Sequence, residues 1–205
     1  MNLSKPFTAL SPGVDSAVLV ALAGSTRPRT GREVARLAGR SKTAVQRVLD
    51  RLVEHGLVDR QPAGEAFLYT LNREHLLSPA VEVMAAARNE LVDRLRAAIA
   101  RWEIQPVHGS VFGSAARGEG DQASDVDLFI VRPKEIDAED PTWRRQLDEL
   151  ASSVRRWTGN HAGISEVSAE EIARLRRERP PVLRELAADA IDVAGRSARW
   201  ILESP

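Results

Sequence analysis

The sequence predicts an α+β chain in two domains, on three observations. Residues 11–56 carry three helical stripes bounded by cap and glycine signals, and short strand-like runs follow at 57–61 and 66–71. A single long stripe then runs from Ser78 to about Trp102. Beyond it, apolar runs at 107–112 and 125–131 flank a glycine turn, and short helices and extended pieces follow to the end. The expected divisions are an N-terminal domain at 1–75, a connecting helix at 76–104 and a second domain of small mixed sheet with flanking helices at 105–205.

At 205 residues, with 43% hydrophobic and 28% charged positions, the composition is that of an ordinary globular protein. No apolar run approaches the roughly 18 residues of a membrane span. The start lacks the basic and apolar regions of a signal peptide, and cysteine is absent, which excludes a disulfide framework and thiolate metal sites. These features predict a cytoplasmic location and no membrane partner. The net charge of zero hides an asymmetry: residues 1–75 carry 11 Lys/Arg against 7 Asp/Glu, and the remainder 18 against 22. A basic first third points to a nucleic-acid partner there.

Residues 1–10 show no periodicity and are expected to form an arm. Ser11-Pro12 has the form of an N-cap with proline at the first helical position, and Val14, Val18, Leu19 and Leu22 supply the stripe up to Gly24. Thr30-Gly31-Arg32-Glu33 matches a capping box, in which Thr and Glu satisfy each other's free N–H groups; Gly39 closes that helix. Ser41 caps a third helix, with Ala44, Val45, Val48, Leu49 and Leu52 inward and Gly56 as its stop. The two strands that follow turn around Pro62-Ala63-Gly64-Glu65.

Three helices and a two-stranded hairpin over residues 13–72, with Leu52-Val53-Glu54-His55-Gly56-Leu57-Val58 at the junction, resemble a winged helix-turn-helix. The resemblance implies double-stranded DNA as partner, with the third helix in the major groove. Its outward residues are Lys42, Thr43, Gln46, Arg47 and Arg51. Lys42, Arg47 and Arg51, with Arg60 on the wing, are candidates for phosphate, and Thr43 and Gln46 for base edges. A solvated helix face is the competing reading. A homodimer is a further expectation, since winged helices often work on two-fold sites.

The stripe from Ser78 to Trp102 is expected to be one helix of about 22 residues, roughly 33 Å long. It either connects the domains and offers a dimer face or covers the second domain's sheet. Asp140-Pro141 starts a helix through Leu147 and Val154 to Trp157, and Thr158-Gly159-Asn160 breaks it. Residues 163–167 form a brief strand, Ser168-Ala169-Glu170-Glu171 is a second capping box, and Pro180-Pro181 separates two further helices. Residues 191–195 are extended, with a closing turn or helix at 197–202. Trp102, Trp143, Trp157 and Trp200 are expected in packing. His55 suits a helix end, His108 an edge position, and His161 lies near the break.

The chemistry concentrates in Val111-Phe112-Gly113-Ser114-Ala115-Ala116-Arg117-Gly118-Glu119 and Ser124-Asp125-Val126-Asp127-Leu128-Phe129-Ile130-Val131. Side chains alternate along a strand, so Asp125 and Asp127 project to one side. Two close carboxylates repel unless a cation lies between them. Mg²⁺ suits such a pair, since it takes hard oxygen ligands from one or two carboxylates plus substrate phosphates. Gly113-Ser114 opening a helix offers backbone N–H groups and a hydroxyl to phosphate. Two aspartates that merely face water are the alternative, at a desolvation cost.

Gly-Ser-x-x-x-Gly followed by Ser-Asp-x-Asp-Leu resembles the signature of the nucleotidyltransferase superfamily that includes DNA polymerase beta and kanamycin nucleotidyltransferase, and most closely its small minimal branch. The resemblance covers Gly113 to Leu128. It implies transfer of a nucleoside monophosphate from an NTP, most simply ATP, to an acceptor hydroxyl with release of pyrophosphate. It implies two Mg²⁺ ions, with Asp125 and Asp127 as shared ligands, Gly113 and Ser114 at the phosphates, and Arg117 either at phosphate or paired with Glu119. A third carboxylate from a later strand is implied; Glu166 is the candidate and Asp192 the reserve. Minimal members include antitoxins that adenylylate a partner toxin, so the expected acceptor is a protein or other macromolecule. The competing reading is a DNA-binding transcriptional regulator whose second domain senses nucleotide or a partner without turnover.

Overall fold

The computed structural model describes residues 1–2, 9, 13–117 and 124–203. The expected arm at 1–10, the Ser11-Pro12 cap and the Gly118-Glu119 end of the motif fall largely or wholly outside these residues. The chain divides into two compact units, with the boundary between Ala87 and Arg88.

The N-terminal unit opens with α1 (Val14–Ala23) and β1 (Arg29–Thr30). It continues through α2 (Gly31–Ala38), α3 (Lys42–Glu54), β2 (Val58–Ala63), β3 (Ala66–Leu71) and α4 (Ser78–Ala85). The capping box forms at α2: Glu33 N–H donates to Thr30 Oγ1 at 3.2 Å and Thr30 N–H to Glu33 Oε2 at 2.9 Å. Ser41 Oγ accepts from Ala44 N–H at the head of α3. β2 and β3 form an antiparallel hairpin turning at Gly64, where φ is +60°. β1, which has no periodicity of its own, pairs with β3 to make a third strand. Val18, Leu22, Val34, Val45, Leu49, Leu52, Tyr69, Leu71 and Val81 close one core.

The expected long helix is broken at Ala86 into α4 and α5 (Ala87–Ile99). No proline or glycine marks the break. The cause lies in packing: Val81 and Met84 of α4 belong to the N-terminal core, whereas Leu91, Val92, Leu95 and Ile99 of α5 belong to the core of the second unit.

The second unit continues through β4 (His108–Phe112), α6 (Gly113–Arg117), β5 (Val126–Arg132), α7 (Pro141–Thr158) and β6 (Ala162–Ser168). It ends with α8 (Ile172–Glu178), α9 (Pro181–Asp189), β7 (Ile191–Gly195) and α10 (Ala198–Leu202). The strands form a mixed sheet in the order β6-β5-β4-β7, with β5 and β6 parallel and the other pairs antiparallel. Val126, Leu128 and Ile130 pack on one face with Trp143, Leu147, Leu150 and Val154 of α7 and the stripe of α5. Phe112, Phe129 and Val131 pack on the other with Ile172, Leu183, Leu186 and Ile201 of α8, α9 and α10. Asp140 caps α7 by accepting from Thr142 and Trp143 N–H, both at 2.9 Å, and Gly159 ends it at φ +77°.

His108, expected at an edge, is fully buried. Its Nδ1 lies 2.6 Å from the Arg196 carbonyl oxygen and so carries the proton; Nε2 accepts from Ser110 Oγ at 2.9 Å. Burial holds the ring's pKa below its ordinary value, against the opposing pull of the Arg196 carbonyl and Asp192.

Candidate functional site

The β4–α6 turn and the start of β5 meet at one end of the sheet. Phe112 pairs with Asp127, and Asp127 pairs on its other side with Gly163 of β6. Gly113 follows at φ +67°, a conformation that glycine adopts without steric cost. A Cβ at Gly113 would lie 2.7 Å from Asp127 Oδ2, and one at Gly163 would lie 3.0 Å from Oδ1. The Asp127 carboxylate therefore sits between two glycines at which a Cβ would crowd its oxygens. The same Cβ at Gly163 would come within 3.9 Å of Asp125 Cβ, which puts Asp125 on the same side.

The pKa of Asp127 is raised above the ordinary carboxylate value. Desolvation is the largest cause, followed by the charges of Asp125 and of Glu185 on α9; Arg117 opposes them. Partial burial and two neighbouring negative charges leave this carboxylate short of positive charge.

Glu166 does not join the pair. β6 lies parallel to β5 with Gly163 beside Asp127, Ser165 beside Phe129 and Glu166 beside Ile130. A one-residue step along a strand changes face. Glu166 thus shares the α7 side with Ile130, where Arg132 Nε donates to Oε1 at 2.6 Å and Trp143 Nε1 at 3.1 Å. The expectation that Glu166 supplies the third carboxylate is corrected by this register. Asp192, the reserve, lies opposite Ser110 on β4, and its Oδ1 accepts from Ala198 N–H at the start of α10 at 2.9 Å. It acts as a helix cap.

The helix expected after Pro180-Pro181 is α9, but its two acids were not among the expected site residues. Glu185 and Asp189 lie four residues apart on it, one above the other. Asp189 Oδ1 accepts from the Gly113 backbone N–H at 3.3 Å, and Oδ2 takes Arg117 Nη1. Arg117 is therefore tied to Asp189; Glu119, its other expected partner, lies outside the described residues. Ser114 is partly exposed beside Gly113. The available signal was Asp189 falling at i+3 from Leu186 in the inward stripe Leu183-Leu186-Asp189, where an apolar residue is the norm.

In the N-terminal unit, Lys42, Thr43 and Arg47 are exposed along α3. Gln46 is not free: its Nε2 donates to Asp50 Oδ1 at 2.9 Å and to the Tyr69 hydroxyl at 3.0 Å. Arg51 pairs with Asp15 of α1. Arg60 lies 3.9 Å from Asp50 and stacks over Phe67, 4.8 Å from the ring centroid. A groove of about 680 Å³ runs between α3 and β3, with Arg32, Lys42 and Phe67 on its walls.

The family model for the nucleotidyltransferase domain matches residues 94–198, half of the chain and all of this site. The chain belongs to the nucleotidyltransferase domain family. The MarR family model matches residues 11–66, so the nucleotidyltransferase domain here is joined to a MarR-type winged helix. A search of the curated proteins found no significant match.

The residues of this nucleotidyltransferase domain fit a divalent cation held jointly with substrate. Asp125 and Asp127 are hard oxygen donors on one side of the sheet, burial and the charges of Asp125 and Glu185 outweigh Arg117 at Asp127, and Gly113 and Gly163 place no side chain against its oxygens. Among the described residues, no three His, Asp or Glu side chains converge as a metal cluster. No described helix is long and apolar enough to cross a membrane.

Proposed function

We propose that this protein transfers a nucleoside monophosphate from an NTP, most simply ATP, to a macromolecular acceptor while its winged helix holds double-stranded DNA. The observation that carries this reading is the Asp127 carboxylate seated between Gly113 and Gly163 with Asp125 beside it. In this reading Asp125 and Asp127 hold Mg²⁺ together with the triphosphate. When bound, the cation neutralises phosphate charge and lowers the pKa of an oxygen it touches. Ser114 and Arg117 bind outer phosphates, and Gly113 keeps that approach open. Lys42, Thr43, Arg47 and Arg60 contact DNA. The acceptor is a protein, a partner toxin among the candidates.

The experiment is incubation of the full chain with α-labelled NTPs, Mg²⁺ and cell lysate, beside the Asp127→Ala variant. A labelled macromolecule that disappears with Asp127→Ala supports the reading; the absence of any label opposes it.

A second reading, nucleotide sensing without turnover by a DNA-binding regulator, has its own support. β6 presents Gly163 and Ser165 to the site in place of a third acid. Nucleotide binding that shifts DNA affinity, with no label transferred, separates this reading from the first.

A further inference from the structure

We propose that the Asp189 carboxylate is an internal stand-in for a nucleotide phosphate, which must be displaced before an NTP can seat at Gly113 and Arg117. The proposal rests on the nucleotide-binding reading above and adds a competitor to it.

A backbone N–H makes one strong hydrogen bond, and that of Gly113 is already given to Asp189 Oδ1 at 3.3 Å. The second oxygen of the same carboxylate takes the Arg117 guanidinium. One carboxylate thus bridges a backbone donor and a cationic donor, the pairing a phosphate would make through two of its oxygens. The Asp189 side chain is only 8% exposed, whereas that of Arg117 is 42% exposed, so the guanidinium can be reached from solvent while the Asp189 carboxylate is enclosed.

Displacement has a route. Asp189 also borders a cavity of about 340 Å³ between the end of α9 and the start of α10. Ser197, Arg199 and Asp192 line that cavity, so it offers a released carboxylate a hydroxyl and a guanidinium beside one like charge. Asp189 is the last residue of α9, where a side chain changes direction with little disturbance of the helix.

The test is calorimetric titration of the full chain with Mg²⁺ and a non-hydrolysable ATP analogue, for wild type, Asp189→Asn, Asp189→Ala and the Arg117→Ala/Asp189→Ala double variant. Circular dichroism establishes folding of each. Asp189→Ala is expected to bind about tenfold tighter than wild type, the scale of one charge-assisted hydrogen bond released to the ligand. Asp189→Asn keeps an acceptor for Gly113 and is expected to gain less. The double variant loses the gain, since Arg117 is the donor being unmasked. Unchanged or weaker binding in both single variants, with wild type binding, overturns the proposal and leaves the nucleotide-binding reading standing. Loss of folding in both single variants also overturns it, because a displaceable contact is not one the fold requires. Absence of binding in every folded form overturns the nucleotide-binding reading and this proposal with it.

Discussion

Asp127 and Glu166 stand on opposite faces of one sheet. Asp127 of β5 faces the side of α9, with Asp125 beside it. Glu166 of β6 sits in register with Ile130 and is held by Arg132 and Trp143 on the side of α7. Two acids that look equivalent in sequence therefore have different work: one is short of positive charge, and the other is supplied with two donors.

Glu166→Gln accordingly leaves nucleotide binding close to that of wild type and lowers stability. Arg132 and Glu166 are 11% and 17% exposed, so the amide leaves a mostly enclosed guanidinium without its counter-charge. The cost is about 1–3 kcal/mol, the range for losing a partner of a charged hydrogen bond. Denaturant unfolding and nucleotide titration on one preparation measure both effects. Loss of binding with unchanged stability would restore Glu166 to the site.

The two glycines predict a graded series. Gly163→Ala puts a methyl 3.0 Å from Asp127 Oδ1, tight enough to turn the carboxylate, and is expected to weaken Mg²⁺-dependent nucleotide binding with little loss of stability. Gly113→Ala is worse on both counts. Its Cβ meets Oδ2 at 2.7 Å and its φ of +67° is strained for alanine, at about 1–3 kcal/mol. Thermal melts with and without Mg²⁺ order the two.

Glu33 gives the N-terminal unit an acid-sensitive capping box. The Thr30 backbone N–H first, then the Arg27 and Thr30 side chains, hold its pKa down to about 2 against an ordinary 4.5. With the folded value depressed, the unfolded chain takes up the proton first as pH falls. The stabilisation is therefore complete above 4.5 and fades between 4.5 and about 2. Glu33→Gln is expected to be less stable than wild type at pH 6, with the gap closing towards pH 2 in urea melts. A gap that is constant with pH would mean the carboxylate's charge is not what the cap uses.

On the DNA side, Lys42→Ala and Arg47→Ala are each expected to weaken binding on all sequences. Each should reduce the slope of log affinity against log salt by about 1, as for one lost phosphate contact. Gln46→Ala should also loosen the junction between α3 and β3, because Gln46 is bonded to Tyr69. Electrophoretic shifts across a salt series distinguish these. A salt slope unaffected by both basic substitutions would place DNA elsewhere or nowhere on this face.

Much of this architecture is legible in the residues. The capping box at Thr30, the Asp140 cap and the glycine stops are local devices, and they survive translation into structure; the reciprocal Ser168–Glu171 bonds also form, but in the turn before α8, which starts at Ile172 without a side-chain cap. The Asp-x-Asp spacing is equally local. Register is not. Gly163-Ile164-Ser165-Glu166-Val167 carries apolar residues at both parities, so nothing within it says which side meets β5's acids; pairing with β5 decides that. The stripe from Ser78 to Ile99 has a continuous period, yet its halves serve different cores, a fact that only three-dimensional partners reveal. Asp189 belongs to the same class: its partners Gly113 and Arg117 lie more than seventy residues away in sequence.

The glycines on either side of Asp127 bind three distant positions into one evolutionary unit. While an acid occupies 127, substitution at 113 or 163 is penalised by contact with its oxygens. A descendant that lost the acid would be freed at 163 at once, and at 113 to the extent that the turn permits. Across relatives, drift at 163 is thus expected to mark lineages in which this carboxylate has already been retired.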